Sequence, residues 1–321
     1  MTQPRRIRLQ RSELAVPATS PRFFEKAAAS AADVIFLDLE DAVAPGKKDE
    51  ARAQAIAALN DLHWGNKTMA VRVNGLDTPW AHQDILEVAQ HAPRLDLILL
   101  PKAGSAFDVQ FVAQLLTLVE RQTGREKRTG IEVLIETAKG VANVEAIAQA
   151  SDRLEAVIFG VGDYTVEMRT YDEVFGTPSP RYAVLTHGDG GRERHWNDQW
   201  HFAMARIANA CRAYGLRPVD GPFTDFRDAE GFRASAQRAA ALGFEGKWAI
   251  HPSQIALANE AFSPTAGQLA WAARINAVME ETIRAGQGAV GAEGVLVDMA
   301  HLKMAGALVQ RQALIDNATR R

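Results

Sequence analysis

The chain contains a single cysteine, Cys211. An intramolecular disulfide is therefore impossible, and a cysteine-built zinc site is excluded for practical purposes. Cys211 lies among Ala208, Ala210 and Ala213 in a helical stretch, where a small thiol with no partner residue reads as core packing. No apolar run approaches the roughly 20 residues needed to span a bilayer. The basic start (Arg5, Arg6, Arg8) lacks the apolar core of a secretory signal. These absences point to a cytoplasmic protein without a membrane partner. Charge of one sign is not in surplus either: Lys plus Arg number 36 against 39 Asp plus Glu, a net of -3. A nucleic-acid partner is not expected from such a balance. There is no internal repeat or low-complexity tract, the tryptophans form no ladder, and the histidines show no metal-ligand spacing. What remains is an ordinary globular composition, 47% hydrophobic and 23% charged over 321 residues.

Short apolar runs alternate with longer helical patterns along the chain. Strands are expected at Glu13–Pro17, Val34–Leu39, Thr68–Val73, Leu97–Leu100, Ile131–Ile135, Ala156–Phe159, Leu216–Val219 and Gly246–Ile250. Between them, Lys48–Leu59, Pro79–His91, Ala106–Arg121, Val141–Ala150 and Trp200–Tyr214 repeat their apolar residues three to four apart, the spacing of a helix with one buried stripe. About eight such units predict an α/β fold of the closed (β/α)₈ TIM-barrel type. An open doubly wound sheet is the alternative, but no G-x-G-x-x-G follows the first strand. Residues 1–262 are expected to form the barrel, and residues 263–321 a C-terminal helical extension. The stretch Tyr164–Asp198, rich in Gly, Pro and charge, reads as an excursion near the active face. A Gly-rich joint at Gly286–Gly294 would let the last helix act as a lid or lie on a neighbouring subunit.

Barrel enzymes carry their chemistry at the carboxyl ends of the strands. Those positions hold Glu40 and Asp41, Arg72 and Asn74, Pro101-Lys102, Glu136, Asp163, Asp220 and His251. Glu136 and Asp163 offer hard oxygen donors suited to Mg²⁺ or Mn²⁺, with substrate and water completing the shell. Alternatively, each caps a following helix, and Thr137 is itself a candidate cap. Arg72 either pairs with Glu40 or Asp41, or offers its fork to a substrate carboxylate, or does both. His251 before Pro252 is a helix-entry turn or an acid–base group.

Several stretches resemble the citrate lyase β-subunit and malyl-CoA lyase family, the HpcH/HpaI-type barrel aldolases. They include Phe36-Leu37-Asp38-Leu39-Glu40-Asp41, Val71-Arg72-Val73-Asn74-Gly75, Leu100-Pro101-Lys102 and Leu134-Ile135-Glu136-Thr137. Further matches are Phe159-Gly160-Val161-Gly162-Asp163-Tyr164, Pro218-Val219-Asp220-Gly221-Pro222-Phe223, Gly246-Lys247-Trp248-Ala249-Ile250-His251-Pro252 and Leu296-Val297-Asp298-Met299-Ala300. The likeness covers nearly the whole chain. Within the family, Asn74-Gly75-Leu76-Asp77-Thr78 and Gly221-Pro222-Phe223 favour the L-malyl-CoA and β-methylmalyl-CoA lyase branch.

This resemblance implies a Mg²⁺-dependent lyase (Mn²⁺ as substitute) that splits (S)-malyl-CoA into acetyl-CoA and glyoxylate, and β-methylmalyl-CoA into propionyl-CoA and glyoxylate. Malyl-CoA thioesterase and citramalyl- or citryl-CoA lyase activity are the alternatives. Glu136 and Asp163 would hold the metal, with Gly162 and Asp163 against the substrate. Arg72 would bind glyoxylate and stabilise the oxyanion, supported by Glu40, Asp41 and Lys102. Asp298 would be the acid/base, delivered by the C-terminal segment of a neighbouring subunit in a homo-oligomer, a hexamer built from trimers. Lys26 and either Arg22 or Arg11 would meet the acyl-CoA phosphates, with Ile250 and His251 lining the same pocket. Pro17-Ala18-Thr19-Ser20-Pro21-Arg22 departs from the Pro-Gly-Ser-Arg-like turn of relatives, and Thr165, Val166 and Glu167 replace their small residues.

Overall fold

The computed structural model describes residues 7–170, 173–292 and 294–319. In chain order its strands are β1 (Ser12–Pro17), β2 (Val34–Asp38), β3 (Thr68–Arg72), β4 (Leu97–Leu100), β5 (Gly130–Ile135), β6 (Leu154–Phe159), β7 (Ala183–Gly188), β8 (Gly191–Trp196), β9 (Arg217–Asp220), β10 (Gly246–Ala249), β11 (Ala289–Ala292) and β12 (Val295–Asp298). Eight of them close into a barrel in the order β1-β10-β9-β6-β5-β4-β3-β2. Every pairing around it is parallel. The fold is thus a (β/α)₈ TIM barrel with extra C-terminal helices.

The strands read as continuous apolar runs because both faces are covered. Every residue of β2 through β6 is buried. Their outward residues, among them Ile35, Leu37, Met69 and Val71, join the large core beneath the helices. Phe36, Ala70, Leu99, Leu134, Ile158 and Trp248 form a separate inner cluster that fills the middle of the barrel. The helix Ala106–Thr123 shows why these segments coil. Asp108 accepts from the Ser105 N–H at 2.9 Å to cap its start. Gly124, at φ +67°, ends it in the left-handed conformation that glycine tolerates.

Three sequence expectations change. Val141–Ala150 is not one helix but two, Ala138–Ala142 and Val144–Ala148. They part at Asn143, whose backbone leaves helical geometry (φ −102°, ψ 8°) and whose side chain donates to the Gly104 carbonyl at 2.8 Å. The Tyr164–Asp198 excursion is not loop throughout: it opens inside the helix Val161–Glu167 and carries the β7–β8 hairpin. Its Tyr171 and Asp172 fall outside the described residues. The Gly286–Gly294 joint contains the first arm of another hairpin, β11 paired with β12.

The chain divides into two compact units, Met1–Phe262 and Ser263–Arg321. The second contains the helices Ala266–Arg284 and Met299–Thr319 with the β11–β12 hairpin between them. Ala272, Ile275, Met279, Val297 and Ala305 form its own small core. Cys211 is buried in the first unit, and burial pushes its thiol up to about 12. It is packing, not a nucleophile. Among the described residues, no helix is long and apolar enough to cross a membrane.

The amino end of the barrel encloses a buried polar network. Gln10 Nε2 bridges Glu13 (3.0 Å) and Glu132 (2.8 Å). Arg217 Nε donates to Gln10 (2.8 Å), and Arg8 Nε donates to Glu155 (2.7 Å). Glu13 and Glu132 are fully buried, and burial and then their mutual repulsion hold Glu13 well above the ordinary carboxylate range. The folded chain therefore keeps a proton that the unfolded chain releases. This group's penalty is absent at low pH and grows as pH rises above the ordinary carboxylate value. Glu13→Gln, which cannot ionise, should flatten the fall of the thermal unfolding midpoint as pH rises above the ordinary carboxylate value. A decline as steep as that of the wild type in scanning calorimetry would show that Glu13 does not hold this proton.

Candidate active site

The carboxyl ends of β2 to β6 bring together a linked set of charges. Asp38, the last residue of β2, points inward by the same alternation that turns Phe36 into the barrel. Arg72 closes β3 beside it. Its Nε and Nη2 donate to the two Asp38 oxygens at 2.7 and 2.6 Å, a bidentate fork. Nη1 reaches Glu40 at 2.8 Å and Asp41 at 3.5 Å. The guanidinium stands 5.5 Å from the centre of the Trp248 ring and 5.8 Å from that of Phe36. Burial works against the charge of Arg72, but Asp38, Glu40 and Asp41 outweigh it and raise the group's pKa.

The loop after β2 is fixed from behind. Lys48 Nζ donates to the Leu39 and Glu40 carbonyls, each at 2.8 Å. The Glu40 N–H donates to Asp38 at 2.9 Å. Glu40 is buried, and that burial lifts its pKa despite Arg72 and Lys102.

Lys102, just past β4, connects this pair to the next two strands. Its backbone N–H donates to Glu136 Oε1 at 2.8 Å. Its ammonium lies 2.9 Å from Glu40 and 3.4 Å from Asp163. Burial pulls its pKa down, yet the bond and charge of Glu40, with the charges of Asp163 and Asp41, turn the net direction upward. A cavity of about 670 Å³ opens beside it, lined among others by Leu76, Phe107, Phe111 and Lys139.

Glu136 does not cap the helix that follows; Thr137 does, its hydroxyl accepting from the Gly140 N–H at 2.9 Å. The Glu136 carboxyl is left inside the barrel mouth. Burial pushes its pKa up to about 8, helped by the charges of Glu40 and Asp163 and opposed by Arg72 and the Lys102 N–H. Gly160 makes its place: a Cβ there would stand 2.4 Å from Glu136 Cβ and 2.5 Å from Oε2. Asp163 sits in the first turn of Val161–Glu167, behind an N-cap that is Gly160. Among the described residues no three His, Cys, Asp or Glu side chains converge as a metal site. Two carboxylates of hard oxygen donors, in a cluster short of positive charge, fit a cation whose shell is completed by water and substrate.

Another sector of the mouth, from β9 through β10 to β1, collects different chemistry. Arg22 and Lys26 are exposed on the short helices Pro21–Phe23 and Phe24–Ala28 that follow β1. Ile250 and His251 follow β10, its barrel neighbour. His251 stacks on Phe226 with centroids 4.7 Å apart and planes 22° apart, and Arg227 lies 5.8 Å from the same ring. Phe226 and Arg227 were not among the sequence candidates, because nothing in Asp225-Phe226-Arg227 marks a contact made 25 residues away in space only.

Arg11 is a correction. It precedes β1 at the amino end of the barrel and is tied to Asp33, Nη2 to Oδ1 at 2.8 Å and Nε to Oδ2 at 2.9 Å. It stands at the wrong end to meet a ligand at the mouth, where Arg22 and Lys26 are exposed. Asn74 and Asp220 are also committed elsewhere, Asn74 to Asp84 (2.6 Å) and Asp220 to the buried Lys247 (2.6 Å). Gly162 lies in the first turn beside Asp163. Asp298 belongs to the second unit. It ends β12, and its Oδ1 accepts from the Ala300 N–H at 2.9 Å and lies 2.8 Å from His301 Nδ1. The bonds from His301 lower its pKa, so this half-buried carboxylate is ionised at neutral pH.

The sequence profile of the HpcH/HpaI aldolase/citrate lyase family matches residues 11–252. An L-malyl-CoA/β-methylmalyl-CoA lyase of Cereibacter sphaeroides is 48% identical, covering 97% of this chain and 97% of that protein. A (3S)-malyl-CoA thioesterase of the same species is 35% identical over 91% of this chain and 90% of its own. The crystal structure of CitE from Mycobacterium tuberculosis with magnesium, acetoacetate and coenzyme A superposes with a TM-score of 0.72 at 29% identity, covering 95% of this chain and 98% of that one. The barrel, the charged mouth and these likenesses agree: the chain belongs to the HpcH/HpaI aldolase/citrate lyase family.

Proposed function

We propose that the protein is a carbon–carbon lyase that reversibly cleaves (S)-malyl-CoA to acetyl-CoA and glyoxylate, and β-methylmalyl-CoA to propionyl-CoA and glyoxylate. The observation that carries this reading is the 48% identity over 97% of the chain to a lyase of that name. The (3S)-malyl-CoA thioesterase, at 35% identity, is the more distant relative, which ranks hydrolysis second.

Glu136 and Asp163 are the residues that would hold Mg²⁺, or Mn²⁺ in its place. When bound, such an ion polarises substrate oxygens as a Lewis acid. The remaining work falls to the chain. A guanidinium carries five N–H donors, and Asp38 and Glu40 engage only part of that set at Arg72. The others bind the glyoxylate carboxylate and steady the negative charge that develops on its aldehyde oxygen. Asp38 and Glu40 keep the fork from turning, so little reorganisation is needed as that charge grows.

In the cleavage direction the hydroxyl passes its proton to solvent and the adjacent C–C bond breaks, leaving glyoxylate and the thioester enolate. Asp298 of a neighbouring subunit, protonated from solvent before it acts, delivers that proton to the enolate carbon and gives acetyl-CoA; in condensation the ionised carboxylate removes it. A carboxylate is a weak base toward such a carbon acid, so the site must be closed and dry when it acts. Arg22 and Lys26 meet the acyl-CoA phosphates, and Ile250 and His251 line the same side. The protein is on this reading a cytoplasmic homo-oligomer, a hexamer built from trimers.

The direct test is (S)-malyl-CoA incubated with and without Mg²⁺, with the CoA products separated by chromatography. Metal-dependent acetyl-CoA with glyoxylate is expected; free CoA with malate would transfer the site to the thioesterase reading. Asp298→Asn should fold and bind metal normally but lose about 10²-fold or more of turnover, the scale of a general acid–base contribution. Near-normal turnover would remove Asp298 from the chemistry. Replacing Arg22 and Lys26 together by Ala should raise KM for the acyl-CoA about tenfold with kcat little changed, since exposed phosphate contacts act on ground and transition states alike. An unchanged KM would place the phosphates elsewhere.

A further inference from the structure

Lys102 is one of only two non-glycine residues with positive φ among the described residues, at +52°. That conformation is uncommon for a side chain with a Cβ and carries strain. A turn that needed only this backbone shape would suit glycine. The turn does have a use, because it aims the Lys102 N–H at Glu136 (2.8 Å). It does not explain the lysine. The side chain returns across the mouth instead of extending into solvent, and it ends 2.9 Å from Glu40 and 3.4 Å from Asp163. One residue thus contacts three of the acidic groups that crowd the mouth.

We infer that the Lys102 ammonium holds the place of the divalent cation, keeping the carboxylates of the metal-free enzyme assembled and giving up Asp163 when a metal binds. This rests on the reading that Glu136 and Asp163 are the metal ligands. The physical basis is simple. Glu40 and Asp163 face the same ammonium and would repel one another without it, and a metal ion cannot share Asp163 with an ammonium at contact distance without mutual repulsion. Glu40 remains a partner for the released amine, and the cavity of about 670 Å³ that Lys102 lines gives its side chain room to shift. Lys102 is therefore a positioning residue. It preserves the site's shape before the metal arrives, and it lowers metal affinity by competing for one ligand.

The test measures Mn²⁺ binding to the purified metal-free full chain by the electron paramagnetic resonance signal of free Mn²⁺, with no substrate present. Lys102→Met keeps the stem and removes the charge, and it should bind Mn²⁺ about tenfold more tightly than the wild type; Lys102→Arg should show no such gain. Equal or weaker binding by Lys102→Met, with an unaltered circular dichroism spectrum, would overturn the inference. A second measurement uses the unmodified chain, so it stands even if the variants fail to fold. Adding Mn²⁺ should speed acetylation of Lys102 by acetic anhydride, followed by mass spectrometry of its peptide; slower or unchanged labelling would count against release of the amine. Glu136→Gln and Asp163→Asn separate the two ideas. If both bind Mn²⁺ like the wild type, the assignment of the metal ligands fails, whatever Lys102 does.

Discussion

The buried fork between Arg72 and Asp38 is the contact on which the mouth depends. Two charges taken out of water are costly, and each is tolerable only because the other sits 2.6 to 2.7 Å away. Removing one partner of such a pair typically costs about 3–5 kcal/mol, because the survivor is left buried and alone. The fork also transmits order. Arg72 positions Glu40, Glu40 holds Lys102, and Lys102 holds Glu136 and Asp163. The ends of β2, β3, β4 and β5 and the start of the helix after β6 are linked by side chains as well as by the backbone ladder. A ring of charges at a barrel mouth would otherwise be free to splay into solvent.

Much of this architecture was legible in the chain before any coordinates. The eight barrel strands lie where the apolar runs predict them, because strands buried on both faces must be apolar at nearly every position. Arg72, Glu40, Lys102, Glu136 and Asp163 emerge from one rule, that polar residues at the carboxyl ends of such strands face the mouth. Asp38 was missed because the strand was drawn through Leu39, so its aspartate looked interior. The alternation Phe36, Asp38, Glu40 would have found it. Arg11 was misplaced for the opposite reason. It was assigned by likeness to a displaced motif, and its position before β1 already puts it at the amino end. The Phe226–His251 stack and the two hairpins depend on contacts between distant or weakly patterned residues, where spacing along the chain has little to say.

The geometry shows how the groups at the mouth are held. Arg72 is protonated and clamped. Glu136 is held in a hole that exists only because Gly160 has no side chain. Thr137 takes over the capping duty that Glu136 would otherwise perform. Glu136 is thus spared a structural task by the residues beside it.

The barrel has polar clusters at both ends, with the apolar layer of Phe36, Leu99, Leu134 and Trp248 between them. That layer keeps the two clusters out of contact but does not screen them from each other, because charge acts further through an apolar medium than through water. Trp248 neighbours both, standing near Glu13 below and 5.5 Å from the Arg72 guanidinium above. A change of charge at the floor of the barrel is therefore felt at its mouth.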